Sequence, residues 1–167
     1  SILNQISYLK LQNRKEDRVK VIFVPSYLNG NDGIFNIPYY DLLIGMDVSV
    51  FPSYYEPWGY TPHESIAFSV PTITTSLAGF GLWMRKEGDE KGMDDGAEVV
   101  TRDDYNFIEV SEDICNRVFE MTTKSAEQER ILRKAALDRA ALADWGHFFK
   151  YYEEAYDIAL AKASERK

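Results

Sequence analysis

Hydrophobic positions recur along this chain in two rhythms. Ile2, Ile6 and Leu9 fall on one side of a helical segment over Ile2–Leu11. Val19-Lys20-Val21-Ile22-Phe23-Val24 is rich in β-branched residues and predicts a buried strand. Pro25–Asn36 reads as a loop, because its Asn29-Gly30-Asn31-Asp32-Gly33 run consists of residues that tolerate positive φ. Pro38–Ile44 predicts a helix with proline in its first turn. Asp47–Phe51, Pro71–Thr75 and Ala97–Thr101 predict three further strands. Between the first two of these lie a loop, Pro52–Tyr60, and a helix from Thr61 to about Phe68. Gly79-Phe80-Gly81 leads into a short helix near Leu82–Met84. Lys86–Gly96 is polar and Gly-rich and is expected to be a mobile loop.

From Ser111 onward the rhythm is helical. Ser111-Glu112-Asp113 offers a capping residue and early acids for a helix start. Glu127–Ala143 alternates charge with Ala and Leu at helical spacing, and Trp145, Phe148, Phe149, Tyr152 and Tyr156 stripe a last helix. Strands alternating with helices at short spacing predict an α/β fold: one Rossmann-like, doubly wound parallel sheet over residues 1–167, followed by C-terminal helices.

Composition narrows the function classes. The 167 residues suffice for one hydrophobic core, and 45% apolar content argues against disorder. No apolar run reaches the roughly 20 residues of a membrane span, and Ser1–Leu11 lacks the features of a secretory signal. A net charge of −8 makes nucleic acid a poor partner. Cys115 is the one cysteine; with Ile114, Val118 and Phe119 nearby it reads as a small core residue. His63 and His147 do not supply metal-ligand spacing around it. A chain without internal disulfides suits the cytoplasm. Because it opens on Ser rather than Met, it is expected to be a piece of a longer protein.

The stretch that carries chemistry is Phe51-Pro52-Ser53-Tyr54-Tyr55-Glu56-Pro57-Trp58-Gly59-Tyr60-Thr61-Pro62-His63-Glu64. It lies where a strand's C-terminal end meets the next helix, the edge at which open α/β sheets bind ligands. Thr61 is the expected N-cap, Pro62 the first helical residue and Glu64 the third. Free N–H groups and the dipole of such a helix start favour an anion. Taken alone, Glu64 reads as the partner of Thr61 in a capping box, Glu56 as a solvated loop acid, Trp58 as a core anchor and Gly59 as a turn residue. Together they set two carboxylates around an aromatic, a glycine and an anion-favouring helix start. Carboxylates accept hydroxyl donors in fixed geometry, which suits sugars.

Glu56-Pro57-Trp58-Gly59-Tyr60-Thr61-Pro62-His63-Glu64 resembles the Glu-x7-Glu motif of retaining glycosyltransferases with the GT-B fold. The wording from Phe51 to Pro62 is most similar to the glycogen synthases of fungi and animals, and the likeness continues through Val70–Thr75, Gly79-Phe80-Gly81 and Asp144-Trp145. The resemblance implies transfer of glucose from UDP-glucose to the 4-hydroxyl of an α-1,4-glucan, with retention and without a metal or other cofactor. It implies that Glu56 is catalytic and grips the donor glucose together with the backbone at Trp58 and Gly59. It places Tyr60 and Thr61 at the diphosphate, Glu64 at the ribose and Tyr39 on the base. This chain would then be the C-terminal, donor-binding part of a GT-B enzyme, inactive alone and lacking the N-terminal domain that contacts the glucan. No Lys or Arg occurs between Phe51 and Leu82, so cationic help for a diphosphate must come from elsewhere.

Two other readings stay open: a retaining GT-B transferase using ADP-glucose or another acceptor, and a noncatalytic nucleotide- or glucan-binding domain. Tyr39 reads equally as a helix-surface aromatic packed on the sheet. Glycogen synthases of this type carry an arginine-dense sugar-phosphate-sensing helix before Asp-Trp. Here Arg130, Arg133, Lys134 and Arg139 alternate with acids and read as a solvated face. His63 and Ser65 carry no inference. The last helix's aromatics are expected to pack on their own sheet; any left exposed would favour a homo-oligomer.

Overall fold

The computed structural model describes residues 1–87 and 92–166, and the chain divides into two compact units, Ser1–Tyr39 and Tyr40–Lys167. The first unit holds helix α1 (Ile2–Tyr8), whose N-cap Ser1 accepts the Asn4 N–H. The strand expected over Val19–Val24 does not form: Val19 and Ile22 are 60% and 58% exposed. A strand needs a neighbour for its N–H and C=O groups. Among the described residues the partner that Val21 finds is a side chain, since the Asn13 amide donates to Val21 O (2.7 Å) and accepts from Val21 N (2.8 Å). The Asn29–Gly33 turns form as expected, with the Asp32 carboxylate accepting N–H groups of Ile34, Phe35 and Asn36. Helix α2 (Tyr39–Leu43) begins at the last residue of this unit.

The second unit is the α/β body. Strand β1 (Ser49–Val50) leads to helix α3 (Tyr60–Ala67), and strand β2 (Thr72–Thr75) to helix α4 (Gly79–Glu87). A 3-10 turn (Gly92–Asp95) precedes strand β3 (Ala97–Val100); helices α5 (Phe107–Met121), α6 (Ala126–Ala141) and α7 (Trp145–Glu165) complete it. The described strands form one parallel sheet in the order β1-β2-β3, with Ser49 opposite Thr72 and Thr72 opposite Ala97. All four β2 residues are buried, as in a strand covered on both faces. One cluster, Ile66, Phe80, Met84, Ala97, Ala136 and Ala140, brings α3, α4 and α6 onto the sheet. The other, built on Ile73, Val100, Val110, Met121 and Leu132, brings α5 to it. The α/β fold class with a parallel sheet wound by helices therefore holds.

Several boundaries moved. Much of the expected loop Lys86–Gly96 is ordered: α4 starts at Gly79 and reaches Glu87, and Gly92–Asp95 is helical, while residues 88–91 lie outside the described ones. Gly96 (φ 80°) passes α6 so closely that an added Cβ would lie 2.2 Å from Ala136 N. Helix α5 starts at Phe107, not Ser111, because Asn106 and Asp103 make a turn there; Ser111 Oγ donates instead to Phe107 O. Cys115 is exposed rather than core, since α5 buries the face of Val110, Ile114, Val118 and Met121, about 100° away from it. Arg133 and Arg139 also depart from a solvated face. Arg133 donates to Met46 O (2.7 Å) and Ser69 O, and Arg139 pairs with Asp95 at 2.8 Å with both side chains largely covered.

Helix α7 is capped by Asp144 and buries none of its residues. Trp145 is 63% and Leu160 69% exposed, so its aromatics do not pack wholly on the sheet. The reason is geometric: a 21-residue helix is about 30 Å long, longer than the sheet it leaves. Among the described residues no helix is long and apolar enough to cross a membrane.

Candidate functional site

The loop leaving β1 does not wander from the sheet but runs on beside the chain that leaves β2. Phe51 N donates to Ile73 O, Glu56 N to Leu77 O and Gly79 N to Glu56 O, and Phe80 N donates to Trp58 O at 2.6 Å. Glu56 and Ala78 form an isolated parallel bridge. Thr75 Oγ1 donates to Ser53 O at 2.7 Å. The loop is thus an extra rung beyond the C-terminal end of the sheet, and it carries Glu56, half-buried, to the mouth of α3.

That mouth differs from the expected one. The N-cap of α3 is Gly59, with φ 103° and ψ 70°, and it makes no side-chain cap bond. Thr61 is consequently the second helical residue, Pro62 the third and Glu64 the fifth, so Thr61 and Glu64 form no capping box. The cause is the left-handed glycine, which turns the chain sharply enough for the helix to begin two residues early. The first helical bond runs from His63 N to Gly59 O. Among the described residues no backbone acceptor takes the N–H of Tyr60 or Thr61, and both residues are exposed. Two N–H groups on the positive end of a helix dipole are therefore free to meet an anion.

Glu56 lies against this opening: a Cβ built at Gly59 would sit 3.4 Å from Glu56 Cγ and 3.2 Å from Pro62 Cγ. Glu64, half-buried, stands one turn above Tyr60 and so shares its helix face, while Pro62, Ser65 and Ile66 point into the core. Glu56, Trp58, Gly59, Tyr60 and Thr61 thus meet at one loop–helix junction, with Glu64 a turn away. Tyr39 belongs to the first unit, where it is half-buried and its N–H donates to Leu28 O.

Trp58 anchors the junction. Its indole meets Phe80, Trp83 and Phe148 with ring centroids 5.5–5.9 Å apart. Beside it a cleft of about 380 Å³ opens between Tyr60 and His63 and the α7 residues Trp145, Phe148 and Tyr152. His63, which offered no signal in the sequence, stacks on Phe80 at 5.6 Å. Burial pushes its imidazole below the ordinary value of 6.5, against the opposing pull of the Ala140 backbone and of Glu64. Ser65, equally silent, donates to Ser49 Oγ at 2.9 Å and ties α3 to β1.

Arg102 is the residue that spacing could not find. It is 6% exposed, at the end of β3, and its Nη1 donates to Pro52 O at 2.7 Å across 50 residues of sequence. Its guanidinium lies 3.5 Å from the centroid of the Tyr54 ring. The one available signal was its position directly after the β-branched run of β3, at the ligand-binding edge. Among the described residues no cluster of three or more His, Cys, Asp and Glu could hold a metal ion.

This junction can hold an anion at two amides and a polyol at a carboxylate. The family model described as glycogen synthase matches residues 1–167. Glycogen (starch) synthase of Neurospora crassa is 39% identical over 163 residues, and isoform 1 of Saccharomyces cerevisiae 39% identical over 165 residues. The liver glycogen (starch) synthase of Homo sapiens is 34% identical over 166 residues. Each alignment covers 97% of this chain and 23% of the relative, so the chain spans about a quarter of the length of these proteins. A match that runs from the first residue to the last, over the junction and the helices around it, places this chain in the glycogen synthase family.

Proposed function

We propose that this chain is the donor-binding part of a retaining glucosyltransferase that moves glucose from UDP-glucose to the 4-hydroxyl end of an α-1,4-glucan. The single observation that carries this reading is the placement of Glu56 against the Gly59 mouth of α3, beside two unclaimed N–H groups. In this reading the N–H groups of Tyr60 and Thr61 take the diphosphate, whose charge grows as the bond to the anomeric carbon breaks. Glu56 holds the glucose hydroxyls, with the backbone at Trp58 and Gly59 beside it. Glu64 takes the ribose hydroxyls. The anomeric carbon forms its new bond to the acceptor oxygen, the acceptor proton is released, and the nucleoside diphosphate departs. The helix terminus and cations supplied by the rest of the protein stand in for a metal. The reading further takes the complete enzyme to be a cytoplasmic GT-B protein whose other domain binds the glucan.

The test uses the full-length protein. Glu56→Gln should abolish glucan elongation while leaving the melting temperature unchanged, and UDP-glucose should displace bound donor better than ADP-glucose. Undiminished turnover by the Gln variant would overturn the catalytic reading, and preference for ADP-glucose would move the enzyme to the ADP-glucose class.

A further inference from the structure

Arg102 is a buried cation with no carboxylate to pair with among the described residues. Its Nε is buried and has no partner there either. Leaving a guanidinium so poorly compensated is expensive, and an apolar side chain of similar volume would pack in its place at lower cost. Stability alone therefore gives this residue little reason to be charged. What the charge does is specific. One amino group holds the carbonyl of Pro52, and the flat face of the guanidinium lies on the Tyr54 ring. The backbone that carries it is fixed from behind, because Arg102 N donates to Ser76 Oγ (3.0 Å) and Ser76 N donates to Val100 O (2.9 Å). The neighbouring carbonyl, Ser53 O, is held by Thr75. Two consecutive carbonyls of the loop, those of Pro52 and Ser53, are thus fastened to the chain just past β3 and to β2, three residues ahead of Tyr55 and Glu56. The loop has no cation of its own, and Arg102 arrives from the far side of the sheet to supply one.

We infer that Arg102 is a positioning residue: clamped between Pro52 O and the Tyr54 ring, it sets the loop that presents Glu56 at the mouth of α3. The inference rests on the glucosyltransferase reading above and adds a residue to it. Arg102 touches neither donor nor acceptor; it acts through the backbone and through Tyr54.

The experiment compares Arg102→Met, Arg102→Lys, Tyr54→Leu, Tyr54→Phe and Glu56→Gln in the full-length protein. Turnover is measured per folded enzyme, well below each melting temperature. Arg102→Met and Tyr54→Leu should each lower kcat/KM for the nucleotide-sugar donor by about tenfold or more, the scale of a misplaced reacting group, with KM for the glucan unchanged. Arg102→Lys keeps the charge and one donor and should recover part of the loss. Tyr54→Phe keeps the ring and should recover most of it. A purely structural Arg102 would instead lower the melting temperature and leave both KM values and turnover per folded enzyme at wild-type levels; that result overturns the inference. If Arg102→Met does not fold, Tyr54→Leu decides by the same criterion. Wild-type turnover of Glu56→Gln would instead sink the underlying transferase reading, a result distinct from the failure of the clamp.

Discussion

The carbonyl of Pro57 fills the place a side chain at Gly79 would need: a Cβ built there would lie 2.2 Å from Pro57 O and 3.2 Å from Trp58 Cα. The first turn of α4 and the Glu56 loop are therefore in backbone contact, and one cannot shift without the other. Gly79→Ala should destabilise the folded protein by about 1–3 kcal/mol, the cost of overpacking a fitted site. It should also lower transferase activity of the full-length protein even where it remains folded. Melting temperature and donor kcat/KM, measured together, check both halves.

Gly59 is constrained first by conformation and then by space. At φ 103° an L-residue is strained, and its added Cβ would also press on Pro62 and Glu56. Gly59→Ala should cost about 1–3 kcal/mol through that strain and weaken donor binding by moving the helix mouth. Calorimetric titration of the full-length variant with UDP-glucose checks the second effect, and normal affinity would show that the mouth does not hold the donor.

His63 ties stability to pH. Burial between Trp58 and Phe80 holds its folded value below 6.5, so the unfolded chain takes up the proton first as pH falls. Stability from the neutral ring is complete above 6.5 and is lost as pH drops from there toward the lowered folded value. Denaturation midpoints on either side of that pH should differ more for the wild type than for His63→Gln, which carries no titrating ring.

Thr74 Oγ1 is buried in β2 without a hydrogen-bond partner among the described residues. Its neighbours Thr72 and Thr75 both donate, to Val70 O and Ser53 O. Thr74→Val removes the unsatisfied hydroxyl and keeps the shape, so it should leave stability unchanged or raise it by about 1 kcal/mol. Thr75→Val should do the opposite and loosen the loop. Urea unfolding of the two variants separates them.

Much of this was readable from local pattern. The β1, β2 and β3 positions, the loop at their C-terminal edge and the last helices follow from β-branched runs and helical spacing, which act over neighbouring residues. The misplaced features depend on distant ones. Thr61 carried the better local signature for an N-cap, but the left-handed turn at Gly59, packed beside Pro62 and Phe80, moved the start upstream. Val19–Val24 has the composition of a strand and no neighbour in its unit to pair with. Arg102 reaches the junction from the end of a different strand, so no spacing rule within the motif could include it. Glu56 and Trp58 were legible because a compact motif carries them.

Two amides of the loop, those of Phe51 and Glu56, hang on β2 and the chain that continues it. Glu56 and Gly79 share a rung with Leu77, and Phe51 with Ile73 inside β2. Solvent can therefore reach those protons only when the edge of the sheet itself frays. In deuterium labelling the Phe51 and Glu56 amides, in what looks like a mere connection, should exchange on the slow clock of β2 while the free Tyr60 and Thr61 amides exchange at once. A surface that combines slow anchors with instantly available donors is prepared before any ligand arrives.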